Sequence, residues 1–236
     1  MTSALVLQHI ACEPPGVYED VLRERGFEIV RVELDEGESM PDWRAVDLVV
    51  AMGGAMSVND EDEHHWLVDE KRLIREAVIA GTPYWGACLG VQLLAASLGA
   101  RVYAGPAPEV GVLDVTLTAA GRADTVTGVL PPRFPSLQWH GDTFDLPDGA
   151  VRLMESPAYP NQSFRLGSRA YGFQFHLEVD DAMADAWSRV PAYSVYADRV
   201  LGPGGSDALL ERFAARGEEM RSMARRVFER FLEVTT

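Results

Sequence analysis

The chain alternates short apolar runs with polar, turn-forming stretches. Residues 4–9 form a nearly unbroken apolar run and read as a first strand. After the loop 10–16, residues 17–25 carry helical spacing and stop at Gly26. Residues 27–34 are rich in Phe, Ile and Val and read as a second strand. Residues 47–52 are apolar behind a single acid, the pattern of a strand buried on both faces. A helix is expected over residues 66–80, a β-compatible run over 83–85, and a helix over 89–98 with Gly99 as its stop. This succession is that of an α/β fold, an open, mostly parallel central sheet flanked by helices. In such sheets ligands sit beyond the carboxyl ends of the parallel strands.

Further on, residues 111–118 alternate like a strand with one polar face, and 109–111 read as its entry turn. Residues 128–135 are a proline-rich loop. Residues 151–156, 161–166 and 169–175 read as three short strands, expected to form the edge of the sheet. Residues 180–189 look helical. The tail, about 206–233, is charged but amphipathic, with Leu209, Phe213, Met220, Val227, Phe228 and Phe231 at helical spacing. It reads either as a partner helix or, more in keeping with its apolar stripe, as a terminal helix packed on the sheet. The Gly-rich stretch 202–205 before it is a connector, lacking the lysine of a phosphate loop. One domain over residues 1–236, with a C-terminal helical extension, is expected.

Chemistry concentrates at Gly86-Ala87-Cys88-Leu89-Gly90. A nucleophile between two glycines, between a strand and a helix, is a nucleophile elbow carrying cysteine in place of the usual serine. The helix start points free N–H groups at the sulfur, which favours thiolate and offers oxyanion donors. Taken alone, Cys88 fits a buried structural thiol equally well. The downstream run Phe173-Gln-Phe-His176-Leu-Glu178 changes the balance. On a strand, His176 and Glu178 share a face, giving a base beside an orienting carboxylate. Gln92, one helical turn past Cys88, lies on the same helix face and is a candidate substrate contact.

These blocks, with the upstream Gly53-Gly54-Ala-Met-Ser57-Val-Asn-Asp60, resemble the class I glutamine amidotransferases. The resemblance runs to about residue 180. It is nearest to stand-alone members related to the glutaminase part of GMP synthase and to γ-glutamyl peptidases, and it implies flavodoxin-like layering. It implies a Cys88–His176–Glu178 triad and an oxyanion hole made by the amides of Leu89 and of the Gly53–Gly54 turn, Gly54 foremost. Gln138 and Trp139, within Gln-Trp-His140-Gly-Asp142, are implied on the substrate side, with His140 and Asp142 fixing the loop. Glu13 and Gly16 also resemble the subgroup, without an assignable task. The expected reaction is hydrolysis of a γ-glutamyl amide through a cysteine thioester, with no cofactor and no metal. Three readings stay open: a glutaminase whose ammonia feeds a separate synthase subunit, a free-standing γ-glutamyl peptide hydrolase, and an inactive interaction protein.

Composition narrows the field rather than choosing within it. With 236 residues, 47% hydrophobic and 24% charged, the chain is an ordinary globular sequence. A formal net charge of −15 disfavours nucleic acid and anionic membrane as partners. Two cysteines, Cys12 and Cys88, make no disulfide framework, and Cys12 lacks an elbow. The N-terminus lacks a signal-peptide pattern and no apolar run is long enough to span a bilayer, so a cytoplasmic location is expected. The acidic stretch 59–65, ending in His64-His65, suits the start of the following helix better than a metal site.

Overall fold

The computed structural model describes residues 2–236. Its strands are β1 (Ser3–Gln8), β2 (Glu28–Glu33), β3 (Leu48–Ala51), β4 (Tyr84–Ala87), β5 (Val102–Leu117), β6 (Arg133–Phe144), β7 (Val151–Glu155), β8 (Ser163–Leu166) and β9 (Ala170–Phe173). Its α-helices are α1 (Val17–Glu24), α2 (Trp66–Ala80), α3 (Leu89–Ser97), α4 (Ala119–Ala123), α5 (Asp181–Arg189), α6 (Pro191–Leu201) and α7 (Gly205–Thr235). The strands form one sheet in the order β2-β1-β3-β4-β9-β8-β7-β5-β6. The five from β2 to β9 run parallel, and the remaining four continue the sheet antiparallel.

The parallel block behaves as its sequence requires. Every residue of β1, β3 and β4 is buried, because helices cover both faces. One layer of core joins α1, α5 and α7 to the sheet through Val21, Trp187, Phe228 and Phe231. The other joins α2 and α3 through Ile74, Ala77, Leu93 and Leu94. Helix α3 is buried almost all round, as an apolar helix held between the sheet and α2 must be.

The tail helix α7 lies on the sheet. Its Phe228 and Phe231 rings stand 5.0 Å from the ring of Trp85 in β4, the strand that leads into Cys88. The apolar stripe of the tail is therefore core, and the charged face is the outer one.

Several expectations are corrected. The expected edge strand β9 lies in the interior of the sheet, beside β4, and the edges are β2 and β6. Strand β5 starts at Val102, well before the expected entry turn, and is irregular between Ala104 and Glu109. Part of the proline-rich loop is strand: Pro135 sits in β6, where an edge position spares the missing N–H. The run after Phe173 is not regular strand. It keeps one isolated bridge, His176 to Leu137, with N···O distances of 2.9 and 3.0 Å. Helix α6 occupies a stretch to which the sequence pattern assigns no element. Helix α2 starts at Trp66 as expected, but His65 before it makes no side-chain cap.

Candidate active site

Strand β4 ends at Ala87 and α3 begins at Leu89, so Cys88 alone makes the turn. Its backbone has φ 52° and ψ −107°, and among the described residues no other non-glycine has positive φ. Such a conformation costs on the order of 1–3 kcal/mol and persists only where its surroundings enforce it. Here the Cys88 amide donates to Phe173 O at 2.8 Å, tying the turn to β9. Gly90, one residue into the helix, lies so close to β3 that a Cβ would collide with the carbonyl of Ala51. The sequence writes glycine there because two backbones meet.

Residues 174–178, running on from β9, bring His176 to the thiol. Cys88 and His176 line one cavity of about 430 Å³. His176 Nδ1 lies 2.6 Å from Glu178 Oε1, and the other carboxylate oxygen accepts the Leu177 amide at 2.9 Å. A carboxylate on Nδ1 makes that nitrogen the donor and leaves Nε2 for the reacting side. Burial pushes the His176 pKa down, but Glu178 and the neighbouring Cys88 outweigh it and hold it well above the usual histidine value. A buried imidazole held by a carboxylate, beside a thiol at a helix N-terminus, is the arrangement of a base set against a nucleophile.

The Gly53–Gly54 turn follows β3. Gly54 lines the cavity, and Leu89 packs beside it, 3.0 Å from where a Gly54 Cβ would stand. Among the described residues, neither the Gly54 nor the Leu89 amide donates to a protein acceptor. The turn is held from below by His9 at the end of β1. His9 Nδ1 lies 3.1 Å from Gly53 O and Nε2 lies 2.8 Å from Glu70 Oε1 on α2. Both partners are acceptors, so both ring nitrogens donate. Burial lowers the His9 pKa, while the charge and hydrogen bond of Glu70 raise it further, leaving it above the usual value.

The three residues placed on the substrate side separate in space. Trp139 lines the cavity, with its indole Nε1 buried and without an acceptor among the described residues. Gln92 lines it too, and its amide donates to Gln174 Oε1 at 3.0 Å, while Gln174 Nε2 stands 3.7 Å from Cys88 Sγ. Gln138 does not line it. Neighbours on a strand face opposite ways, and Gln138 turns into a buried network with Ser136 and Gln162. Glu109 is the centre of that network, bonded to Ser156, Gln162 and His140. The residues expected to fix the loop also line the cavity: His140 Nδ1 meets Asp142 O at 2.9 Å, and Ser57 Oγ donates to Asp142 Oδ2 at 3.0 Å.

Other lining residues have no task that the sequence assigns. Glu13, from the loop after β1, is 5% exposed and accepts a hydrogen bond from the Tyr193 hydroxyl of α6. Its second oxygen, Oε2, is buried without a partner and occupies the space a side chain at Gly53 would need, a space His176 Cε1 also borders at 3.1 Å. Burial pushes the Glu13 carboxyl up. Trp187 of α5 packs edge-on to the His176 ring at 4.9 Å. A spacing argument could not reach these contacts, since Glu13 and Tyr193 are 180 positions apart. Cys12, half-buried, is a different thiol: burial first, then Glu13, push its pKa up to about 11.

The site sets a cysteine at the end of a parallel strand of an open α/β sheet, in one cavity with a His–Glu pair. The sequence matches the family model of glutamine amidotransferase class-I over residues 17–186, and the chain belongs to that family. It is 34% identical over 174 residues to the glutamine amidotransferase-like protein YfeJ of Salmonella typhimurium, covering 72% of this chain and 73% of that one. It is 30% identical over 165 residues to the glutamine-hydrolyzing GMP synthase of Aeropyrum pernix; the match takes in 70% of this chain but only 28% of that protein. Among solved structures, a glutamine amidotransferase from Thermotoga maritima superposes with a TM-score of 0.87 at 32% identity, over 98% of each chain. No described helix is long and apolar enough to cross a membrane.

Proposed function

We propose that the chain hydrolyses γ-glutamyl amides, glutamine among them, through a thioester on Cys88. The observation that carries this reading is the strained elbow: Cys88 at positive φ on a helix N-terminus, in one cavity with the buried His176–Glu178 pair. The Cys88 thiolate attacks the γ-carbonyl carbon and a C–S bond forms. The oxyanion takes the Leu89 and Gly54 amides, each such donor commonly worth about 3 kcal/mol to the transition state. His176 protonates the leaving nitrogen as the C–N bond breaks, then takes a proton from the water that cleaves the thioester to glutamate. Glu178 holds the His176 tautomer and stabilises its charged form. Trp139 Nε1 supplies a neutral donor for the substrate carboxylate.

In the glutamine reading the product ammonia passes to a separate synthase partner, as suggested by the match to one part of a GMP synthase. A second reading, a free-standing γ-glutamyl peptide hydrolase, is favoured by the size of the cavity, about 430 Å³ and walled by α5 and α6, more than an amide nitrogen needs. Mass spectrometry after incubation with glutamine and with γ-glutamyl dipeptides separates the two. High kcat/KM for a dipeptide, with glutamine a poor substrate, selects the hydrolase. Weak glutaminase activity, raised by a synthase partner, selects the amidotransferase. In either case Cys88→Ser and His176→Asn should each lose on the order of 10⁴-fold or more, with Glu178→Gln milder. A glutamine-mimicking electrophile should label Cys88. Full activity in Cys88→Ala, or labelling confined to Cys12, defeats the mechanism.

A further inference from the structure

We infer that the leaving-group side of this cavity is built for an amine that carries its own positive charge. The inference rests on the γ-glutamyl amidase reading and specifies its substrate class. His176 must protonate the departing nitrogen, so the leaving group lies beside the His176 ring. That side is bordered by Glu13, at the Gly53 turn, and by Trp187, which packs on the ring. Trp139 and Tyr193 extend the same wall, their ring centroids 5.8 Å apart.

Acids outnumber bases in the cavity wall. Glu13, Asp60 and Asp142 line it, its basic members are the histidines His140 and His176, and no lysine or arginine lines it. Elsewhere many acids of the chain have an arginine or lysine within ion-pair distance, for example Asp124 with Arg165 and Glu61 with Lys71. None of these three has one among the described residues. Asp60 and Asp142 converge on Ser57, through its amide at 2.7 Å and its hydroxyl at 3.0 Å, and line the same cavity. Glu13 is the buried member, with Oε2 unpartnered. The α-ammonium present in every γ-glutamyl substrate answers one carboxylate. Its α-carboxylate finds neutral donors only. The remaining negative charge and the rings of Trp139, Trp187 and Tyr193, all of which line the cavity, suit an ammonium on the leaving group, through charge and cation–π attraction.

The reaction itself is unchanged. The amide C–N bond breaks, His176 supplies one proton to the nitrogen, water supplies the hydroxyl of glutamate, and a free diamine departs.

The test holds the γ-glutamyl group constant and varies one terminal group. Three conjugates of equal chain length are compared on the full-length protein: γ-glutamyl-1,5-diaminopentane, γ-glutamyl-n-hexylamine and γ-glutamyl-6-aminohexanoate. The diamine conjugate is expected to exceed the hexylamine conjugate in kcat/KM by about tenfold, and the carboxylate to be slowest. In Asp142→Asn and Asp60→Asn the diamine-to-hexylamine ratio should fall severalfold. The ratio is the readout because loss of structure would slow both conjugates alike. A wild-type ratio at or below one overturns the inference, as does a ratio unmoved by both substitutions. Inertness of all three conjugates and of glutamine is a different outcome, which removes the amidase reading and this inference with it.

Discussion

The elbow makes a stability prediction opposite to the usual ranking of residues. Cys88 holds φ 52° with ψ −107°, where a side chain costs about 1–3 kcal/mol. Alanine keeps that cost and glycine does not. Against this, glycine is ordinarily less stable than alanine by about 0.5–1 kcal/mol, because it loses more freedom on folding. Both variants lose the same buried sulfur, so that contribution cancels between them. The balance leaves Cys88→Gly more stable than Cys88→Ala by roughly 1 kcal/mol, which is about 2–4 °C in Tm for a chain of this size. Urea unfolding of the two variants side by side, with thermal scans, measures it. Neither should hydrolyse a γ-glutamyl amide, so the comparison reads the backbone alone. If Cys88→Gly proves the less stable by 0.5–1 kcal/mol, as at an ordinary position, the turn is unstrained and the argument from geometry fails.

Two other outcomes follow from groups away from the thiol. His9 has a folded pKa above its unfolded value near 6.5, so its contribution is complete below that pH and is lost as pH rises through the folded pKa. His176 shifts in the same direction, so the wild type should lose urea stability as pH rises above about 6.5, and His9→Gln should lose less over the same rise; equal losses would remove the His9–Glu70 pair as a contributor. Phe231 of α7 is fully buried against Trp85, and Phe231→Ala should cost about 3–5 kcal/mol and lower Tm, measured by calorimetry; a loss under 1 kcal/mol would mean the tail is not part of the core.

Local patterns were legible because local geometry enforces them. The limits of α2, the placing of β1, β3 and β4, and the elbow itself follow from periodicity and from glycine spacing. His176 and Glu178, two positions apart, could be paired from sequence, and their side chains meet at 2.6 Å. Even there the reason differs in part: the segment keeps one bridge to Leu137 and not a full strand. Sequence also carried the family, since residues 17–186 hold enough of its pattern. What tertiary structure alone decided are the contacts between distant segments. Gln138 and Trp139 look equivalent in sequence, and strand alternation sends one into a buried network and the other to the cavity. The Glu13 loop, at the end of β1, meets α6 only in the folded chain, where the Tyr193 hydroxyl bonds Glu13 across 180 positions. His9 supports the Gly53 turn only because α2 brings Glu70 under it. A hydrogen bond carries no record of chain separation, so residues far apart in sequence leave no periodic trace of the site they complete.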